Sequence, residues 1–410
     1  MQITIFGGVW FVCILISCIT NSTKKIKLIA PFIISMIFQC NMFVRIQETS
    51  IGMQIVSITM LFILCIITRN TQVLNKEKFC VNNPLFVALL LYLIYFVLSS
   101  IFHNIITTKP LNLMMIIIYI GTALILLKTK LSITEEQLEK IENTIINIVI
   151  IVGVLQMLCK LGFLPIEGIL KLWIYNDNNS NIIFNSKNTS AFYSTFMEPS
   201  YCGTALVGFF ALVSLREVKK SNIYYLVFIV ISIIMTRSTT AYIGLAIVFI
   251  LIAFSRTNKR TYSLIAIPFI VIIVIIFVFN IDLLNEVIFY KSESASFRVR
   301  SNWNQYAFQN FIENPIFGLG YLRSRASSLL FTLLAEQGII GTGLYCLIIF
   351  LFVGVYFSKK NNSTVKAHAL MLMAISICQF IACPDLNNCV FWMGLYLFVL
   401  SCNVHKKREH

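Results

Sequence analysis

Again and again along its 410 residues the chain turns apolar for about 20 positions at a stretch, the length an α-helix needs to cross roughly 30 Å of hydrocarbon. The runs lie at about residues 3–20, 26–44, 51–68, 84–102, 110–127, 144–162, 197–215, 222–236, 240–255, 261–280, 327–357, 366–382 and 389–404. Only 12% of the residues are charged, against about 25% in a soluble domain. The expectation is an all-α, polytopic helical membrane protein. It would form a single integral membrane domain over residues 1–410, with about 13 transmembrane helices in a range of 11–14. The run 327–357 is too long for one crossing and is expected to contain a half-helix. The first run begins at Ile3 with neither a basic leader nor a small-residue cleavage site, so it reads as a retained span rather than a signal peptide.

The net charge of +15 raises the question of nucleic acid, and its placement answers it. Three Lys or Arg fall in each of seven alternate connections: 24–27, 69–78, 128–140, 216–220, 256–260, 359–366 and 406–408. By the positive-inside rule these connections face the cytoplasm. The N-terminus is then outside and the C-terminus inside. The partners implied are membrane lipids, not nucleic acid. Within the cytoplasmic set, S-I-T-E-E-Q-L-E-K-I-E-N opens at Ser132 with a Ser/Glu capping signal and reads as a short amphipathic helix.

Two longer connections fall on the outer side, 163–196 and 281–326. The first is rich in Asn and Ser, and its Trp173 and Tyr175 suit interfacial anchoring. The second carries Arg298, Arg300, Arg323 and Arg325 against the orientation bias. Between the two pairs, N-Q-Y-A-F-Q-N-F-I-E-N-P has the spacing of a surface helix stopped by Asn314-Pro315, and Gly318 and Gly320 allow a tight turn. The arginine pairs are thus expected to return toward one another. A guanidinium is permanently charged and grips phosphate with two parallel bonds. Four of them suit an anionic ligand at the outer membrane boundary; a lone one would suit headgroup contact.

Three other charged positions stand out. Glu198 precedes Pro199 at the mouth of an apolar span. It reads equally as a carboxylate favoured by a helix N-terminus or as a general base. Glu336 sits inside an apolar stretch, where an ionisable group needs a partner, and the outer-loop arginines are nearest. Arg237 lies between two spans in T-R-S-T-T. The twelve cysteines are scattered without metal spacing. Cys383 and Cys389 flank one outer loop and read as unpaired thiols, with a disulfide as the alternative. No phosphate loop, dinucleotide fingerprint, zinc motif or serine elbow is present. No cofactor and no metal are expected.

The stretch R-V-R-S-N-W…N-P-I-F-G-L-G followed by L-L-F-T-L-L-A-E-Q-G-I-I-G resembles the O-antigen polymerase/ligase superfamily, bacterial inner-membrane glycosyltransferases of the GT-C-like, lipid-carrier-dependent kind. The pattern is an Arg shortly before a Trp, matched here by Arg300, with Arg298 a close rival, and Trp303. Asn314, Pro315, Gly318 and Gly320 match the turn that follows, and Glu336, Gly338 and Gly341 the next helix. F-M-E-P-S-Y-C-G, with Glu198 and Pro199, matches an element of the polysaccharide-polymerase branch. Elsewhere the likeness is in hydropathy alone. Ligases of the superfamily carry a histidine nine residues before the glutamate; Ser327 stands there here.

The resemblance implies a metal-independent polymerase of undecaprenyl-pyrophosphate-linked oligosaccharide repeat units. It would act on the outer face of the bacterial cytoplasmic membrane to build an O-antigen, capsule or exopolysaccharide. Arg300 and Glu198 would be catalytic, and Arg298, Arg323, Arg325, Arg237 and Glu336 would bind substrate. A chain-length regulator and a flippase are the implied protein partners. The alternatives are a ligase of the same superfamily and a lipid-linked glycan flippase; transporters of that class tend to show internal repeats and charge near the bilayer midplane.

Overall fold

A computed structural model describes residues 2–4, 7–10, 12, 25–46, 49–67, 82–105, 109–129, 131, 133–175, 191–216, 219–254 and 295–404. The expected span 261–280 and most of 3–20 fall outside these residues, as do 176–190 and 281–294 of the two longer connections.

The protein is an all-α, multi-pass membrane protein, with a small three-stranded sheet among the described residues. Chain order runs β1 (Gln2–Ile3), α1 (Lys25–Ser35), β2 (Met42–Ile46), β3 (Thr49–Gly52), α2 (Met53–Ile67), α3 (Asn82–Phe102), α4 (Pro110–Lys128), α5 (Glu135–Lys160), α6 (Glu167–Trp173) and α7 (Pro199–Ser214). It continues with α8 (Lys220–Thr236), α9 (Thr239–Phe254), α10 (Ala295–Glu313), α11 (Leu329–Phe357), α12 (Ser363–Ala382) and α13 (Cys389–Cys402). Among the described residues, α3, α4, α5, α11 and α12 are long and apolar enough to cross a membrane, and α2, α7, α8, α9 and α13 are shorter apolar helices.

Two expectations need correction. The run 26–44 is not one helix. It leaves the helix after Ser35 and enters a strand at Met42, which pairs antiparallel with β1 and β3 in the order β1-β2-β3. Its apolar content concealed Met-Phe-Val-Arg-Ile, whose aromatic and β-branched residues favour a strand. The second concerns the cytoplasmic helix expected from Ser132. The cap is Thr134, in a reciprocal box with Gln137, and the helix runs unbroken to Lys160. The amphipathic turns are therefore the first part of a span.

The described chain forms two compact units. The first comprises 1–82, 118–202 and 389–410. Here Tyr119 stacks on Trp392 with ring centroids 5.3 Å apart. The end of the 163–196 connection is held against α5: Gln156 Oε1 accepts from the Tyr193 and Ser194 N–H groups at 2.9 and 3.1 Å, and Ser194 Oγ donates to the Val149 carbonyl at 2.6 Å. Tyr175 is buried with its hydroxyl on the Ser194 carbonyl. It is a core residue of this unit, not the interfacial anchor its type suggested, while Trp173 stays exposed.

The second unit comprises 83–117 and 203–388. α11 packs on α10 and on α12, and α12 packs on α9. Tyr92 and Phe96 of α3 lay their rings against Tyr345 and Tyr321, at 5.8 and 5.1 Å. Cys383 and Cys389 are thiols rather than halves of a disulfide, as the first of the two readings expected. Each thiol has its own polar partner, Thr204 for Cys383 and Gln39 for Cys389.

Candidate functional site

The expected half-helix exists. α11 breaks at Gly338, whose φ of 62° and ψ of −167° are non-helical. The break leaves a short apolar helix up to Gln337 and a longer one from Ile339. Such a break frees main-chain groups that must find partners away from water. The turn after α10 supplies them. Leu319 and Gly320 donate to the carbonyls of Ala335 and Glu336, each at 2.8 Å, and Ile339 donates to the Pro315 carbonyl at 2.8 Å. Tyr95 of α3 donates its hydroxyl to the Gln337 carbonyl.

Two glycines make this crossing possible. A Cβ at Gly318 would lie 2.4 Å from the Glu336 carbonyl carbon, and one at Gly338 would lie 2.2 Å from the Ile316 oxygen. Both have positive φ. The N-P-x-F-G-x-G and A-E-x-G elements are thus two halves of one backbone junction.

Beyond the turn the chain runs back along α10. Asn310 Nδ2 donates to Ser324 Oγ at 3.0 Å, and Asn304 Oδ1 accepts from both the N–H and the hydroxyl of Ser327 at 2.9 Å. Ala307, Ala326 and Ala335 pack beneath, with Phe331 beside them. Ser328 then caps α11 through the Phe331 N–H. The Ser327 hydroxyl, at the ligase histidine position, is committed to Asn304.

This return path places the arginines. Arg300 stands four residues, about 6 Å along the helix, from Asn304. Arg325 stands two residues, roughly 7 Å of extended chain, from Ser327. The four are spread along the paired segments rather than gathered at one end. Arg298, Arg323 and Arg325 are exposed and Arg300 is half-buried. Arg323 donates one guanidinium N–H to the His103 carbonyl. Arg298 and Arg300 occupy the first two turns of α10, where the helix N-terminus adds positive potential.

Glu336 is buried, as an ionisable residue in an apolar run should be when it has partners. The partners differ from the expected guanidinium groups. Its carboxylate takes hydrogen bonds from the backbone N–H groups of Leu322 and Ser324, with the positive charge of Lys109 nearby. The main chain of the arginine loop, not its side chains, meets the acid. Leu322 is held in the left-handed region at φ 60°, and its carbonyl accepts from Lys109 Nζ at 2.7 Å. Burial raises the Tyr321 phenol above its ordinary range, and the negative charge of Glu336 and Asp385 adds to the shift.

Arg237 and Glu198 are carried by other elements. Arg237 is the exposed C-cap of α8, at φ 52°. Glu198 belongs to the first unit and the arginine loop to the second. Glu198 is exposed, directly precedes Pro199 at the start of α7, and accepts from Ser200 Oγ at 3.2 Å. Its carbonyl accepts from the Cys202 N–H at 3.2 Å. Sequence reasoning missed His103, Lys109, Tyr95, Asn304 and Asn310. Three of these bond main-chain carbonyls more than 200 positions away, at separations of 215, 213 and 242 residues, and such contacts leave no local pattern.

A family model described as O-antigen ligase matches residues 224–346, which include Arg237, α10, the turn and the break in α11. No curated protein matches the chain. The match supports the O-antigen ligase/polymerase superfamily and, with it, surface-polysaccharide biosynthesis of that type.

Proposed function

We propose that the protein polymerises oligosaccharide repeat units carried on undecaprenyl pyrophosphate, at the outer face of a bacterial cytoplasmic membrane. The observation that carries this reading is the arginine loop. Its backbone is tied at both ends of the return path, while its guanidinium groups stay largely exposed. The distribution of basic residues supports an outer placement for this loop.

In the proposed reaction an acceptor sugar hydroxyl attacks the anomeric carbon of the lipid-linked donor. The glycosyl–oxygen bond to pyrophosphate breaks, and the leaving lipid pyrophosphate takes the electron pair. Arg300 stabilises that developing charge, and Arg298, Arg323 and Arg325 are the further contacts to the anionic substrate. The acceptor's proton goes to a base, for which Glu198 is the assigned group. Arg237 is a further candidate contact to the anionic substrate. The scheme draws on no metal and no cofactor.

Ser327 supports polymerase over ligase. Its hydroxyl donates to an amide oxygen, and a serine in that setting lacks the basicity of the histidine it replaces. Deleting the gene in its host tests the choice. Loss of a polymerase leaves single lipid-linked repeat units and no long chains. Accumulation of long lipid-linked chains that are never transferred would instead identify a ligase.

A further inference from the structure

Two membrane spans meet the turn that follows α10. The apolar part of α3, Asn83–Phe102, has 20 residues. That is roughly 30 Å of helix, the thickness of a hydrocarbon core. Leu91, Ile94, Leu98 and Phe102 are exposed along it at helical spacing, and Phe102, its last residue, is 77% exposed. After the break at Gly338, residues 339–357 of α11 supply another roughly 28 Å of helix, with Ile340, Leu347, Phe350 and Phe357 exposed in the same way. Both apolar stripes run into residues 315–317. The Phe102 ring centroid lies 6.5 Å from that of Phe317, and the Ile339 N–H donates to the Pro315 carbonyl at 2.8 Å. Ile316 and Phe317 are 53% and 52% exposed, and Ile312, one turn back on α10, is 61% exposed. Further back, the face of α10 that carries Ile312 turns polar at Gln305 and Ser301, both exposed. Gln309 and Glu313 mark its wet side.

We propose that this edge is immersed in the outer leaflet, with Ile312, Ile316 and Phe317 among phospholipid acyl chains beside Phe102, so that the arginine loop is seated on lipid. Two observations favour lipid over a protein partner. The patch continues, without a polar interruption, the faces by which α3 and α11 meet the bilayer. Cations also rim it. Arg323 donates to the carbonyl of His103, the residue after Phe102, and Lys109 Nζ donates to the Leu322 carbonyl at 2.7 Å. Both side chains are exposed, and cations at the hydrocarbon edge match the phosphates of the headgroup layer. The far end of α11 is followed by Lys359 and Lys360, which the positive-inside rule assigns to the cytoplasm, so the edge at Gly338 belongs to the outer leaflet. Arg323 is thereby fixed at the depth where a lipid-borne pyrophosphate emerges. Only this last step rests on the reaction proposed above.

Tryptophan probes in the full-length protein in nanodiscs read the edge and need no substrate, so a failure here leaves the proposed reaction to its own assay. Ile312→Trp and Phe317→Trp are compared with Leu98→Trp, on the exposed stripe of α3, and with Gln305→Trp, two turns back on α10. The emission of the parent is subtracted from each. Phosphatidylcholine brominated in the upper half of an acyl chain should remove as much of the added emission from Ile312→Trp and Phe317→Trp as from Leu98→Trp, and little from Gln305→Trp. Aqueous acrylamide should show the reverse order. Emission from both edge probes that acrylamide removes and brominated lipid does not would place the edge in water and overturn the proposal. Emission that neither removes would place it under protein, a second copy or another partner, and overturn it equally.

The unsubstituted protein supplies a second measurement, which decides if a variant does not fold. A phosphatidylcholine carrying a diazirine on its acyl chain, illuminated in the nanodisc, should label residues 306–317 and spare 296–305. Label confined to 296–305, or absent from both stretches while α3 is labelled, would overturn the proposal.

Discussion

Gly338→Ala tests the junction on which the arginine loop is seated. The glycine's φ of 62° and ψ of −167° lie where a side chain costs about 1–3 kcal/mol. The added Cβ would meet the Ile316 oxygen at 2.2 Å, the Ile316 carbonyl carbon at 2.4 Å and the Phe317 nitrogen at 2.7 Å. These are backbone atoms, so no rotamer change relieves the contact. The turn must withdraw, and the bonds that stretch first are Ile339 N–H to Pro315 and Gly320 N–H to Glu336. Two such bonds contribute about 0.5–1.5 kcal/mol each. The expected cost is roughly 2–6 kcal/mol. Gly343→Ala, in the same helix with nothing within 4 Å of its Cβ, should stay within about 1 kcal/mol of the parent. Thermal melting of the two purified variants in nanodiscs is the assay. If Gly338→Ala melts with Gly343→Ala and the parent, the backbone crossing does not exist as described.

Glu336→Ala strands the Leu322 and Ser324 N–H groups, at about 1–3 kcal/mol for each unsatisfied donor, whereas Glu336→Gln keeps an acceptor oxygen and should cost less; melting curves that place Gln below Ala would refute this role. Glu198→Gln should keep the fold and lose about 10²–10⁴-fold in polymerisation if the carboxylate is the base. A residue acting only at the helix N-terminus would cost roughly 0.3–1 kcal/mol of stability, and activity within about threefold of the parent, well short of the range for a lost base, would return Glu198 to that role.

Much of the architecture was legible because lipid imposes a length. The limits of α3, α8 and α12 follow apolar runs closely, and the excess length of 327–357 foretold the break at Gly338. Where length was the only signal it misled: 26–44 is apolar enough to span, but its helix ends at Ser35 and its last residues enter a strand. The capping signal was real and displaced by two residues: Thr134 forms the reciprocal box with Gln137. At the site, the glycines and Asn314-Pro315 were readable from their backbone preferences. The partners of Glu336 were not, since N–H groups of Leu322 and Ser324 look like any others in sequence. His103 was invisible for the same reason: what it holds is a carbonyl 215 residues away.

The central claim is that the arginine loop grips a lipid pyrophosphate during glycan polymerisation. Its most direct test is the initial rate of polymerisation by the purified protein in nanodiscs, on lipid-linked repeat units extracted from cells lacking it. Arg300→Lys, compared with the parent at equal folded concentration, keeps the charge and removes the planar fork. The account predicts a loss of about 10²-fold or more, the scale of a donor aimed at developing charge. Chains extended at the parental rate by Arg300→Lys, and by the alanine variants of Arg298, Arg300, Arg323 and Arg325, would contradict it.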